Sequence, residues 1–328
     1  MPLASIATLS KQLSNTASFW KAMTINNFAQ LAEAARGKGP KRVAVVAPHD
    51  QATLMAVHQA QKESLAQPIL VGDPEIAGEM AAECGLDLKD MAIVAEPHPR
   101  SAARKAVELV SAGRADLIMN GLAPPRQLIE VALDGLGMGG PLTYVGVFEM
   151  PGFDRPILVA DIGAVVSPTF EQKVAIVQNA IEVARRLGVQ RPRVAVLSAT
   201  ESVSPKIPLS LEAANLSKMS QRGQIVGGIV DGPLALDIAI SPHSARVKGV
   251  PGEVAGRADV IIVPDIEAGC LLAQTIVHFA RGRMAGVVVG GRCPLAMPFR
   301  AASAEEKLAS LALGVLLTGS YQRVQGTD

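Results

Sequence analysis

The stretch RADVIIVPDIEAGCLL, residues 257–272, joins an apolar strand to a turn that carries two carboxylates. The strand is apolar without alternation, which is typical of a strand covered on both faces of its sheet. Asp265 and Glu267 follow it in a Pro-Asp-x-Glu-x-Gly turn. Because ligands of α/β proteins bind beyond the carboxyl ends of strands, this turn is a candidate site. The spacing favours equally a capping role for one of the acids, at a helix that starts near Ala268.

Nine similar apolar runs alternate with helical patterns along the chain. They are RVAVVA (42–47), PILVG (68–72), MAIVAE (91–96), DLIMNG (116–121), LTYVGVFEM (142–150), PILVADI (156–162), RVAVLSA (193–199), QIVGGIV (224–230) and MAGVVVGG (284–291). The clearest helix has Thr169 and Gln172 at capping-box spacing and ends before Gly188. This order predicts an α/β protein with a mostly parallel sheet.

The length of the alternation predicts more than one doubly wound sheet. A chain of 328 residues with this pattern favours two α/β lobes and a cleft between them. The predicted boundary between the lobes is the glycine-rich segment 134–142. It contains GLGMGG, a formal match to the dinucleotide fingerprint, but the segment follows a helix and opens a strand. We therefore interpret it as a hinge or turn.

Composition excludes several classes of function. The formal net charge is +1 and aromatic residues make up 3% of the chain, which argues against nucleic-acid binding and against a membrane surface. Cys84, Cys270 and Cys293 lack CxxC spacing, and the histidines lack HExxH spacing, so we expect neither a disulfide framework nor a metal site. We expect a cytoplasmic protein, since no apolar run reaches the roughly 20 residues needed to span a bilayer.

Two further strand ends carry candidate binding residues. Lys206 lies between two prolines just before a helix, where a stiffly held cation suits phosphate; the alternative is a solvated loop lysine. Asp231 and Asp237 flank a Gly-Pro turn, and either is placed to cap a helix beginning near Pro233.

The last helix is preceded by an arginine. Arg300 lies in the loop that enters this helix, where a guanidinium can hold a phosphoryl or carboxylate group through two hydrogen bonds. Ser303 and Glu306 have capping-box spacing, which predicts a structural role for Glu306. Cys270 lies near a helix amino terminus, but we interpret it as a small buried apolar residue rather than a nucleophile.

The segments QRGQIVGGIVDGPLALDIAIS, GRADVIIVPDIEAG, MAGVVVGG and FRAASAEEKLASLAL together resemble the phosphate acetyl/butyryltransferase family, with the butyryl branch the closer. The resemblance extends from about Arg42 to Leu317. It implies a fold like that of isocitrate and isopropylmalate dehydrogenases and a homodimer. The implied division is an N-terminal helical extension (1–39), a first lobe (40–140 and 285–328) and a second lobe (141–284).

The resemblance also implies a reaction, in which acyl-CoA and inorganic phosphate give acyl phosphate and CoA, with an acetyl, butyryl or other short acyl group. CoA is then a substrate, and neither a metal nor a redox cofactor is required. Arg300 corresponds to the family's clamp for phosphate and the transition state, and Glu306, next to Glu305, to the base for the CoA thiol. The implied substrate-binding residues that line the cleft are Lys206, Asp265, Glu267, Asp231 and Asp161.

Five positions depart from the family pattern. Each replaces a charged or hydrogen-bonding group with a less polar or uncharged one; they are Asn120, Val165, Ile238, Cys270 and Phe299. The leading hypothesis is an active acyltransferase in which these changes retune the substrate. The alternative is a non-catalytic or altered-specificity acyl-CoA-binding protein on the same scaffold. A metal-dependent hydroxy-acid dehydrogenase ranks below both, because its metal and nucleotide signatures are not evident.

Overall fold

The computed structural model describes residues 24–136 and 141–319. Its strands are β1 (Lys41–Val46), β2 (Ala66–Gly72), β3 (Ala92–Ala95), β4 (Leu117–Asn120), β5 (Thr143–Glu149), β6 (Ile157–Ala160), β7 (Arg193–Leu197), β8 (Ile229–Leu234), β9 (Val260–Ile262), β10 (Arg283–Val289) and β11 (Leu295–Ala296). Its helices are α1 (Phe28–Arg36), α2 (Gln51–Lys62), α3 (Pro74–Glu83), α4 (Pro99–Ser111), α5 (Pro125–Gly135), α6 (Phe170–Arg186), α7 (Pro208–Gln221), α8 (Leu236–Ile240), α9 (Pro242–Val247), α10 (Ile266–His278) and α11 (Ala304–Leu317).

All of these strands belong to one sheet, in the order β3-β2-β1-β4-β11-β10-β5-β6-β9-β7-β8. The first five strands in this order (β3, β2, β1, β4 and β11) are parallel to one another, and so are the last four (β6, β9, β7 and β8). Between the two blocks, β10 is antiparallel to β11 and β5, and β5 is antiparallel to β6. The two parallel blocks therefore run in opposite directions.

Because of this reversal, strands end at both edges of the sheet. We call the edge at which β1, β4, β11 and β5 end the first edge, and the edge at which β6, β7, β8 and β9 end the second edge. Loops that follow strands of one block lie at the opposite edge from loops that follow strands of the other block. The fold thus decides which candidate residues can be neighbours.

Apolar side chains alternate between two cores, one on each face of the sheet. On β1, Val43 and Val45 belong to the core on one face, and Ala44 and Val46 to the core on the other. Both cores extend across the two blocks of strands. The continuous apolar runs of the sequence are explained by this double coverage.

The α/β class and the mostly parallel sheet predicted from the sequence are confirmed. Each of the ten predicted apolar runs contains strand residues, and α6 begins with the predicted capping box of Thr169 and Gln172. The two-residue strand β11 was missed, because so short a segment has no periodicity. The division into lobes stays a prediction. In the segment GLGMGG, Gly135 is the last residue of α5, and residues 137–140 lie outside the described part of the chain.

The predicted helix near Pro233 is wrong. Pro233 is a residue of strand β8, and the next helix, α8, starts at Leu236 with Ala235 as its N-cap residue. Neither neighbouring aspartate caps this helix. Asp237 instead pairs with Lys248 at 2.9 Å.

No helix among the described residues is long and apolar enough to cross a membrane.

A buried ion pair fixes α11 against α2. Lys307 is fully buried, and its Nζ donates to Asp50 Oδ1 at 2.6 Å and to Thr53 Oγ1 at 2.9 Å. Asp50 also caps α2 by accepting from the Thr53 N–H at 2.9 Å. The ion pair therefore holds the first turn of α11 against the first turn of α2.

Replacing Lys307 with Met should destabilise the protein by about 3 kcal/mol, because it leaves the Asp50 carboxylate partly buried without its cation. Denaturant unfolding followed by circular dichroism measures the change. The double variant Lys307→Met/Asp50→Asn should recover part of the loss, since both charges are then removed. A loss below about 1 kcal/mol in the single variant would show that the pair contributes no more than a surface ion pair.

Candidate active site

Asp161 lies at the second edge, directly after β6, and is 3% exposed. Its Oδ1 accepts from the N–H groups of Gly163 and Ala164, both at 2.8 Å, and of Tyr144 at 3.2 Å. Its Oδ2 accepts from the Val165 N–H at 3.1 Å. Burial raises the pKa of Asp161 to about 6, while these four hydrogen bonds oppose the shift. The carboxylate therefore organises the loop that follows β6.

Asp265 and Glu267 also lie at the second edge, where β9 leads into α10. Asp265 is the N-cap residue of α10, and its Oδ1 accepts from the Ala268 N–H at 2.9 Å. Glu267 is exposed in the first turn of the helix. The sequence left cap and site roles equally open, and the structure assigns the cap to Asp265. A cap does not exclude a second role, because the other carboxylate oxygen is not used in this bond.

Lys206 and Asp231 occupy separate parts of the second block. Lys206 is exposed in the loop between β7 and α7, and its ammonium has no partner among the described residues. Asp231 lies within β8 and accepts from the Gly232 N–H at 2.9 Å. It also lines a polar pocket of about 400 Å³ between α7 and β8. That pocket is lined by neither Lys206 nor Asp265, so the structure does not bring Asp231 together with them there.

Arg300 lies at the first edge, in the turn between β11 and α11. Its side chain is exposed and makes no hydrogen bond or ion pair with any residue that the structure describes. Glu306 belongs to the first turn of α11, and the predicted capping box with Ser303 is present. Glu306 Oε2 accepts from Ser303 N at 3.1 Å and Oγ at 3.0 Å, and Oε1 accepts from the Met284 N–H at 3.2 Å. Both carboxylate oxygens of Glu306 therefore accept hydrogen bonds from within the protein.

The candidate residues therefore form two groups at opposite edges. Arg300 and Glu306 follow β11, whereas Lys206, Asp161, Asp265 and Glu267 follow strands of the second block. No sequence pattern showed that the two blocks of strands run in opposite directions. The cleft that the resemblance implies for the substrate-binding residues stays a prediction.

Tyr144 on β5 links the two groups. Its N–H donates to Asp161, and its hydroxyl donates to the backbone carbonyl of Met297, three residues before Arg300. The side chain is 5% exposed, and burial raises the pKa of Tyr144, with added repulsion from Asp161 and Cys270. No sequence argument singled out this residue, because a tyrosine in an apolar strand has the pattern of an ordinary core residue.

The positions that depart from the family pattern have different environments. Ile238 is a fully buried residue of α8, whereas Val165 and Phe299 are partly exposed. Cys270 is exposed, so the expectation that it is buried is wrong. The early turns of α10 present it on the helix surface instead of towards the core.

Asn120 is another of the five positions that depart from the family pattern. It is the last residue of β4 at the first edge and is fully buried. Its Nδ2 donates to the Ala123 carbonyl at 3.0 Å, while its Oδ1 has no partner among the described residues. No group of three or more His, Cys, Asp or Glu in the described ranges is placed to hold a metal ion.

The amino-acid sequence of the chain matches a known protein family. Residues 94–315 match the model of the family described as phosphate acetyl/butaryl transferase. The chain is 42% identical over 299 residues to a phosphate butyryltransferase from Clostridium acetobutylicum, covering 90% of this chain and 99% of that protein. It is also 42% identical over 290 residues to a phosphate acetyltransferase from Thermotoga maritima, covering 88% and 98%.

A solved structure gives the same result for the fold. The crystal structure of a branched-chain phosphotransacylase from Enterococcus faecalis V583 superposes with a TM-score of 0.72 at 28% sequence identity. The match covers 84% of this chain and 98% of that one. The equal identities to a butyryl and an acetyl enzyme leave no preference for either branch.

The three cysteines should differ in reactivity towards a thiol-specific dye. Cys270 is exposed and should react fast, whereas Cys293 is buried, which raises its pKa to about 12, and should react only after unfolding. Cys84 is half-buried and donates to the Met80 carbonyl at 3.0 Å, so it should react slowly. Cys270→Ser should remove the fast phase. A fast phase that survives in this variant would contradict the placement of α10.

Proposed function

The chain belongs to the phosphate acetyl/butaryl transferase family, and we propose on this basis that it transfers a short acyl group from CoA to inorganic phosphate. The thioester C–S bond breaks, a C–O bond to phosphate forms, and the proton of the hydrogen phosphate ion ends on the released thiolate. The observation that carries the site assignment is the exposed, unpartnered guanidinium of Arg300 at the end of β11. Membership of a transferase family supports the reaction class, and the free guanidinium of Arg300 supports the proposed location of the site.

Arg300 is proposed to hold phosphate and the negative charge that develops on the thioester oxygen. A guanidinium presents a rigid fork of donors that matches phosphate oxygens in two parallel hydrogen bonds. Donors aimed at developing charge are commonly the largest contribution to catalysis of acyl transfer. No carboxylate in the described residues neutralises Arg300, so its charge is available to a substrate.

Glu306 is proposed to serve the reverse direction, in which the CoA thiol must lose its proton. The capping box limits this role, because the base would have to give up at least one of the hydrogen bonds from Ser303 or Met284. Glu305 is adjacent and largely exposed, and it lies 3.6 Å from Arg283. Glu306 thus has a structural function in the resting protein, to which the proposed proton transfer is added.

The second edge is proposed to contact the CoA portion of the substrate. Lys206 offers an exposed, unpaired ammonium to the phosphates of CoA. Asp161 and Asp265 order the loops after β6 and β9. Glu267 and Asp231 are the other two substrate-binding residues that the resemblance to the family implies. CoA is accordingly proposed to extend along the sheet, with its thioester at the first edge.

The acyl group, the assembly and the compartment also belong to the proposal. Phe299 is partly exposed beside Arg300 and is proposed to limit the length of the acyl chain. Ile238 is fully buried and contributes packing rather than a pocket wall. A homodimer in the cytoplasm, using acyl-CoA and phosphate without a further cofactor, is carried over from the resemblance of the sequence to the family.

Replacing Arg300 with Ala should lower kcat/KM for phosphate by about 100-fold, because the developing charge loses its donors. Arg300→Lys is the matched control; it keeps the charge and loses the fork, and should fall in between. The measurement is phosphate-dependent loss of the thioester ultraviolet absorbance, which avoids dye reaction with Cys270.

Acetyl-CoA and butyryl-CoA should both be tested, with and without phosphate. Unchanged kinetics in folded Arg300→Ala would contradict the assigned role. A wild-type protein that binds CoA without any phosphate-dependent turnover would contradict the proposed reaction itself and favour the non-catalytic alternative.

A further inference from the structure

The turn that carries Arg300 is held at both ends. On its far side, Glu306 binds the Met284 N–H and Lys307 is anchored by Asp50. Within the turn, the Ala302 N–H donates to the Phe299 carbonyl at 3.0 Å. The position of the guanidinium therefore depends on how firmly the near side, at Met297, is held.

Met297 has both of its backbone groups engaged. Its N–H donates to the Gly286 carbonyl on β10 at 2.9 Å, and its carbonyl accepts from the Tyr144 hydroxyl on β5. Two residues then lead to Arg300. Pro298 is buried and has a fixed φ, and Phe299 packs against the core. Such a short and stiff connection transmits a shift of the Met297 carbonyl to Arg300.

The ring of Tyr144 is held in a slot that glycines create. A Cβ built on Gly163 would come within 3.0 Å of Tyr144 Cδ1, and one built on Gly286 within 3.0 Å of Cε2. The backbone N–H of the same residue is bound to Asp161. With its ring and backbone both fixed, the hydroxyl has one direction in which to donate.

We propose that Tyr144 is a positioning residue for acyl transfer: its hydroxyl sets the Met297 carbonyl and thereby the place of Arg300. Tyr144 itself touches no substrate in this account. Its hydroxyl belongs to the supporting layer that catalytic groups need, since misplacement of a charged group by about 1 Å can lower a rate up to 100-fold. The inference rests on the proposed function.

The same residue joins the loop after β6 to the segment that leads to Arg300. Asp161 orders the loop after β6, where CoA contacts are proposed, and it shares Tyr144 with the Arg300 turn. A change in the Asp161 loop therefore reaches the phosphate site through one side chain and the strand that carries it.

Tyr144→Phe tests the proposal, because it keeps the ring and removes only the hydroxyl. We expect kcat/KM for phosphate to fall about 10-fold with the KM for acyl-CoA nearly unchanged. The matched control is Thr318→Val, which removes a hydroxyl that donates to the Val315 carbonyl at 2.7 Å at the opposite end of α11. It should leave the kinetics unchanged.

A double-variant cycle separates positioning from a general loss of stability. If Tyr144 acts through Arg300, the loss caused by Tyr144→Phe should shrink from about 10-fold to less than about 2-fold when Arg300 is already Lys. Equal losses in both backgrounds, or no loss in either, would overturn the proposal. Gly163→Ala provides a second route, since it displaces the ring and keeps the hydroxyl; it should reproduce the loss.

The outcomes also separate this inference from the proposed function. A wild-type protein without phosphate-dependent transfer contradicts the proposed function. An active wild-type protein whose Tyr144→Phe variant shows additive losses contradicts only the positioning role.

Discussion

The antiparallel pairing of β10 with β5 is the constraint on which the rest of the structure depends. It joins two blocks of parallel strands that run in opposite directions, so their carboxyl ends open at opposite edges of one sheet. In a doubly wound sheet of one direction, all such ends share an edge and ligands gather there. Here the reversal places the ends of β6 and β9 at the second edge and the end of β11 at the first, and Tyr144 bridges Asp161 to Met297 at the start of the Arg300 turn.

A substrate that contacts both groups would extend from the Arg300 turn to the loops that follow β6 and β9. CoA suits this geometry because its anionic groups are far from its thioester. Tyr144, the second residue of the central strand β5, donates to Asp161 through its N–H and to the Met297 carbonyl through its hydroxyl. In this account the buried Lys307 and the capping box fix one side of the Arg300 turn, and Tyr144 fixes the other.

Much of the fold followed from the sequence, because strands covered on both faces leave uninterrupted apolar runs. The capping boxes of α6 and α11 were likewise readable from Thr169, Gln172, Ser303 and Glu306. Strand direction was not, since no local pattern distinguishes a parallel from an antiparallel neighbour when both are buried. Pro233 was misread as a helix start because a Gly-Pro pair is also compatible with the end of an edge strand.

The site was predictable only in part, for the same reason. Arg300 and the acidic loop residues could be found as polar groups at strand ends, but their separation required the topology. The role proposed for Tyr144 depends on glycines at 163 and 286 that are distant in sequence. The exposure of Cys270 depends on the rotation of α10, which a short apolar helix does not specify.

The most direct test of this account is a crystal structure of the protein with CoA and inorganic phosphate bound. The account predicts phosphate within hydrogen-bond distance of the Arg300 guanidinium at the first edge, with CoA extending towards Lys206 at the second. Phosphate bound beside Lys206 or Asp265, with Arg300 left in solvent, would contradict it.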